Sequence, residues 1–243
     1  MHEVRFLCLA VSRRDGGNCV AGIDIDTGKW IRPINAKTHG AFADHEMLVV
    51  DGNTQQRRIM APLDVLQLRV DKYVGDNAQP ENWETAPASY DDAYLVLRRF
   101  DRQDDREKLT SYLDGSELLL HNRSGSIPES DVRSRPLTHS LSLIRPDRLS
   151  WEVRGSKYSG KTQVRAEFLF RQIAYSLALT DPIWEAKCRD FDQGGCGSYP
   201  HFLITEEAGE QVLLTISLAG LPLHGYHYKL VAAVINLAAQ ARI

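Results

Sequence analysis

No apolar run in this sequence approaches the roughly 18 residues needed to span a bilayer, so no membrane association is expected. The opening residues also lack the form of a secretory leader. Apolar Phe6 to Val11 gives way at once to Ser12-Arg13-Arg14-Asp15, with no small-residue cleavage site. Cysteine is sparse, with four in 243 residues and no CxxC spacing. A chain of this length needs no covalent staples, so the reading is reduced thiols in a cytoplasmic protein. An excess of basic charge is missing too. The 29 Lys and Arg are outnumbered by 32 Asp and Glu, and no global positive field announces nucleic acid.

What is present is an ordinary soluble composition, 43% apolar and 25% charged, in a length that suits one large or two small domains. The near-neutral average hides two blocks. Val132 to Arg171 holds nine Lys and Arg against three acids, whereas Asp76 to Leu118 holds eleven acids against five bases. A local basic surface on an acidic protein is therefore open, and the acidic middle offers a face to a protein partner, although such blocks also arise as plain solvated surface.

Strand signals dominate both ends. Val4 to Val11 has strand length, and Cys19 to Asp26 alternates Ala21, Ile23 and Ile25 with polar residues. Asp26-Thr27-Gly28-Lys29 supplies a turn before Trp30 to Ile34, where Pro33 indicates an edge or a bulge. Leu63 to Val70 alternates again. Tyr73 to Pro87 reads as an irregular excursion anchored by Trp83, and Asp104 is placed to cap a short helix ended by Gly115. His121 to Pro136 is breaker-rich and is the expected boundary. Beyond it, Leu149, Trp151 and Val153 face inward from one strand, and Val164, Ala166, Phe168 and Phe170 from the next. Asp181-Pro182 opens a helix. Val212 to Leu218 is a strand. Tyr226 onward is read as a strand, although Val231, Val234, Ile235 and Ala238 also fit a helical period.

The expected fold is mainly β with few, short helices. It comprises two tandem barrels, one over residues 1–128 with an acidic helical excursion from about 73 to 128, the other over 129–243. Each half starts with a meander whose first loop is glycine-rich and basic: Ser12 to Asn18 in the first, Arg154 to Lys161 in the second.

The strings Cys8-Leu9-Ala10-Val11-Ser12-Arg13, Gly17-Asn18-Cys19-Val20-Ala21-Gly22 and Thr27-Gly28-Lys29-Trp30-Ile31-Arg32-Pro33 point further. Together with Gln79-Pro80-Glu81-Asn82-Trp83, Leu179-Thr180-Asp181-Pro182, Ser217-Leu218 and Tyr228-Lys229-Leu230-Val231-Ala232-Ala233, they resemble the dual OB-containing domain family of prokaryotes. The resemblance runs over nearly the whole chain. It implies two OB-like β-barrels and, for a family met around bacterial defence and mobile loci, the binding of nucleic acid or a nucleotide.

OB barrels engage ligands on strands 2 and 3 and with the loops joining strands 1–2 and 4–5. The candidate binding residues are accordingly Ser12, Arg13, Arg14, Trp30 and Arg32 in the first half, and Arg154, Lys157, Tyr158, Lys161 and Arg165 in the second. Arginines and lysines would meet phosphates, and an aromatic ring would stack on a base. The plain alternative is a soluble hairpin with Trp30 filling the barrel. Gly155 to Thr162 fits the bare phosphate-loop pattern, but a strand follows it where a helix is required. Asp181, Ser217 and Lys229 form a possible second pocket for an enzyme acting on nucleotides or nucleic acid, with Asp181 better read as a helix cap. A Cys8 or Cys19 nucleophile lacks a matching histidine. Cys188, Cys196, His201, His224 and His227 could supply zinc donors, but their irregular spacing argues against a metal. No cofactor is expected.

Overall fold

The computed structural model of the chain describes residues 2–14, 16–89, 92–100, 102–155, 162–193 and 212–237. With 52% strand against 14% helix, the protein is mainly β. It divides into two compact units, one of residues 1–112 with 137–140, the other of residues 113–136 with 141–243. The first crossing thus falls at 112–113. The breaker-rich segment contributes a short strand and a helix to the second unit.

In the first unit, β1 (His2–Arg14), β2 (Gly17–Asp24), β3 (Trp30–Asn35), β6 (Asp64–Tyr73) and β7 (Asn82–Thr85) close a ring, ordered β1-β2-β3-β7-β6 and back to β1. The β3–β7 pairing is parallel and the other four are antiparallel. This is the strand order of an OB barrel. One long strand pairs with both β2 and β6 because β1 bends at a bulge between Cys8 and Ala10. Gly22 sits where the strands come closest: a Cβ there would lie 2.0 Å from the Leu7 carbonyl oxygen. Pro33 lies where β3 leaves β2 and joins β7, and it pairs with Trp83. Val4, Phe6 and Cys8 of β1 join Val20, Ile31, Leu66, Leu68 and Val70 in the core. That core continues into Met47, Val49, Met60 and Val96, contributed by a short turn at 44–47 and by β4 (Leu48–Asp51), the end of β5 (Arg57–Ile59) and β8 (Tyr94–Arg99).

Several expectations need correction here. The stretch read as an irregular excursion contains β7, a barrel strand, and the hairpin of β4 and β5 carried no sequence signal. Ser12 to Asn18 is mostly ladder rather than loop, since Arg13 pairs with Asn18 and Arg14 with Gly17, leaving two residues between the strands. In helix α1 (Gln103–Ser111) the serving carboxylate is Asp105, which accepts the Arg102 N–H at 3.0 Å, and the helix ends before Gly115.

The second unit contains β9 (Ser126–Pro128), α2 (Glu129–Ser134), β10 (Leu141–Ile144), β11 (Arg148–Gly155), β12 (Thr162–Phe170), β13 (Ile173–Leu179), α3 (Pro182–Gln193), β14 (Val212–Leu218) and β15 (Tyr226–Asn236). The order β10-β14-β15-β13-β12-β11, with β13 and β15 parallel, repeats the first barrel's plan. The position of the long first strand is shared by β10 and β11, separated at Pro146, which has no N–H for the ladder. Leu149, Trp151, Val153, Val164, Ala166, Phe168 and Phe170 are buried, as their alternation required. Trp184 of α3 stacks on Trp151 with centroids 5.7 Å apart. The segment from Tyr226 is strand as far as Asn236, because it pairs with β14, β13 and β9 at once. Among the described residues no helix is long and apolar enough to cross a membrane.

Candidate functional site

Period-2 alternation along β11, β12 and β13 sends one set of residues into the second barrel and the other set outward. On the outward side Glu152 stands opposite Arg165, Arg154 opposite Gln163, and Glu167 between Ser150 and Ser176. Arg165 is locked in place. Its Nε donates to Ser176 Oγ at 3.0 Å, Nη1 to Gln163 Oε1 at 3.1 Å, and Nη2 to the Ser176 carbonyl. Burial, and then the neighbouring Arg154, lower its pKa from the ordinary arginine value. Arg154 is exposed and lies 3.3 Å from Glu152. This face therefore presents two neighbouring guanidiniums, partly balanced by carboxylates, beside the segment that joins β11 to β12. Lys157, Tyr158 and Lys161 belong to that segment and lie outside the described residues.

The first unit distributes its candidates differently. Ser12 donates to the Cys19 carbonyl at 3.4 Å across the hairpin. Arg13 is exposed and reaches Asp44 at 3.2 Å, while Asn18 donates to the same carboxylate at 2.7 Å. These contacts, Asn18 foremost, hold the Asp44 carboxyl below its usual range. Arg14 is in β1, and its side chain lies outside the described set. Trp30 is half-buried opposite Ile23. Arg32 is buried: its Nη2 donates to Ser140 Oγ at 2.9 Å, and that hydroxyl donates to Glu81 Oε2 at 2.8 Å. The return of residues 137–140 to the first unit thus covers the outer side of β3, and Arg32 compensates a buried Glu81 through Ser140.

Asp181, Ser217 and Lys229 share no described contact. Asp181 is a helix cap, with Oδ1 accepting from the N–H groups of Ile183 at 2.9 Å and Trp184 at 3.0 Å. Its Oδ2 accepts the Val234 N–H at 3.0 Å, tying α3 to β15. Burial raises its pKa. Ser217 is buried in β14. Lys229 is 1% exposed and donates to the Leu119 carbonyl, to the Asn122 carbonyl at 2.9 Å and to Asn122 Oδ1 at 2.8 Å. Its ammonium also lies 5.5 Å from the Tyr175 ring centre, and burial pushes its pKa down to about 7. Of the sulfur and imidazole groups, Cys188 is buried in α3 with its pKa raised to about 11, and His227 Nδ1 is 2.9 Å from the Ala219 carbonyl. Cys196 and His201 lie outside the described residues.

Two constellations escaped the sequence reading. Asp64, wholly buried, receives two hydrogen bonds from Arg58 at 2.6 Å each, one from Arg99 at 2.8 Å and one from the Ala61 N–H at 2.8 Å. Its only sequence signal was an acid at the head of a strongly apolar strand. At the other end of β6, Tyr73 packs edge-on against Trp83, which packs edge-on against His2. Trp83 was legible as an anchor, but its neighbours come from distant strands.

The model of the dual OB-containing domain matches residues 4–234. The chain belongs to the dual OB-containing domain family. No curated protein and no solved structure matches it. In this dual OB protein the strand 2–3 faces are β2–β3 and β12–β13. The flanking connections are residues 15–16 and 74–81 in the first unit, and 156–161 and 219–225 in the second. On β3 the outer side is closed over Arg32, whereas β12 and β13 keep a polar row of Gln163, Arg165, Glu167 and Ser176 at half-burial.

Proposed function

We propose that the protein binds single-stranded nucleic acid or a nucleotide on the β12–β13 face of its second barrel. Arg154 and Arg165 would serve as phosphate partners, and Lys157, Tyr158 and Lys161 of the adjoining segment would supply further cations and a stacking ring. The observation that carries this reading is the locked Arg165 beside exposed Arg154. Two guanidiniums held close together repel each other, and an anion relieves that repulsion. Arg13 and Arg14 form a second, smaller basic element on the β1–β2 hairpin. A cytoplasmic setting and a role in prokaryotic defence belong to the same proposal.

The test is fluorescence anisotropy with labelled oligonucleotides across a salt series. Exchanging Arg154 or Arg165 for Ala should weaken binding irrespective of sequence and flatten the salt slope by about 0.7 per lost phosphate contact. Lys157→Ala with Lys161→Ala should act the same way. Tyr158→Ala should cost about 1–3 kcal/mol with little change in slope. Folded variants with parental affinity and slope would reject this face.

A further inference from the structure

We propose that the Tyr73 ring at the end of β6 is a stacking platform for a nucleobase, a subsite separate from the β12–β13 face; it rests on the nucleic-acid or nucleotide reading above. Tyr73 is 52% exposed, yet its ring is braced on two sides. Against Trp83 the centroids are 5.3 Å apart and the planes 66° apart, and Trp83 meets His2 at 5.3 Å and 85°. Packing at this angle holds the ring in place, and about half of the residue's surface still meets solvent. The second brace is the backbone at Gly75. A Cβ there would lie 2.4 Å from Tyr73 Oη and 2.6 Å from the Pro80 carbonyl oxygen, so only glycine allows the loop to lie against the phenol. The loop is itself fixed: Asp76 accepts the N–H groups of Ala78 at 2.8 Å and Gln79 at 2.7 Å, and Val74 donates to the Asn82 carbonyl at 3.0 Å.

A ring ordered before its ligand arrives loses little freedom on binding, which favours affinity. The chemistry it suits is a planar heteroaromatic group. Every base presents a π face, so the platform is tolerant of sequence. A nucleobase reaches this ring as part of a single strand or of a free nucleotide.

The experiment uses the full chain, with oligonucleotides carrying 2-aminopurine in one arm and nucleoside monophosphates in the other; the readouts are 2-aminopurine quenching and intrinsic fluorescence. Tyr73→Ala should lower affinity by roughly 5- to 150-fold and abolish part of the quenching without changing the salt slope. Tyr73→Phe should bind as the parent does. Gly75→Ala, which keeps the ring but displaces it, should lower quenching in a protein that still melts cooperatively. Effects seen with monophosphates identify a nucleotide ligand, and effects confined to oligonucleotides identify a strand. Parental affinity and quenching in folded Tyr73→Ala overturn the platform and leave nucleic-acid binding intact. Failure of the parent to bind any probe overturns both.

Discussion

Lys229 brings a buried amine to carbonyl and amide oxygens and to an aromatic ring instead of a carboxylate. Those oxygens belong to a tight turn in which Leu120 (φ 42°) and His121 (φ 73°) both adopt the left-handed conformation that L residues rarely occupy. Tyr175 closes the same turn, accepting the Leu119 N–H at 3.3 Å and donating to the Asn122 carbonyl at 3.2 Å. Lysine in the unfolded chain titrates near 10.5, and in the fold near 7. Between those values the unfolded chain holds one more proton, so stability from this residue increases as pH rises, by at most about 1.4 kcal/mol per unit. Below about 7 both states are protonated and the dependence vanishes. Urea titrations from pH 6 to 9 should therefore show the parent gaining on Lys229→Met with rising pH; a constant difference would contradict the assignment. Asp64 allows a second test. Asp64→Ala leaves Arg58 and Arg99 facing each other and should destabilise by roughly 3 kcal/mol, the lower end for a broken buried ion pair because about a third of each arginine side chain already meets water.

Helix α3 shows what an element's own sequence can carry. Asp181-Pro182 announced its start, and the carboxylate takes two N–H groups of the first turn. The third bond, to Val234, was not legible because that residue lies more than fifty positions away. Asp181→Ala should lower unfolding free energy by about 2–4 kcal/mol, combining a lost cap with an unsatisfied buried N–H. Asp181→Asn, which keeps the cap acceptor, should lose less, and thermal melts of the pair would separate the contributions. Alternating strands such as β11 and β12 were readable since one buried face fixes every second residue. The four residues of β7 were not: they follow Pro80, alternate weakly, and become a strand only by pairing with β3 and β6. Arg32 looked like a ligand contact from its place beside Trp30, and its buried hydrogen bond goes to Ser140, more than a hundred residues later. The candidate residues carried by ladders could thus be assigned to a strand from sequence, while the covering or orientation that distant segments impose could not.

At the scale of the molecule, the chain enters the second unit at residue 113, returns to the first for residues 137–140, and then leaves it for good. The return is held by the Leu137 N–H on the Asn77 carbonyl at 3.0 Å and by Ser140 between Arg32 and Glu81. Ser140→Ala should raise hydrogen exchange along β3 and residues 77–85, remote in sequence from the change, by removing the hydroxyl that joins a buried cation to a buried carboxylate. Protection lost only around residue 140 would argue against that linkage. The same return affects the order of events during synthesis. A ribosome must translate past Ser140, and so through the opening strand and helix of the second unit, before residues 137–140 can cover Arg32. Neither unit is one uninterrupted stretch of gene, and a recombination between them at any single point would give away part of one with the other.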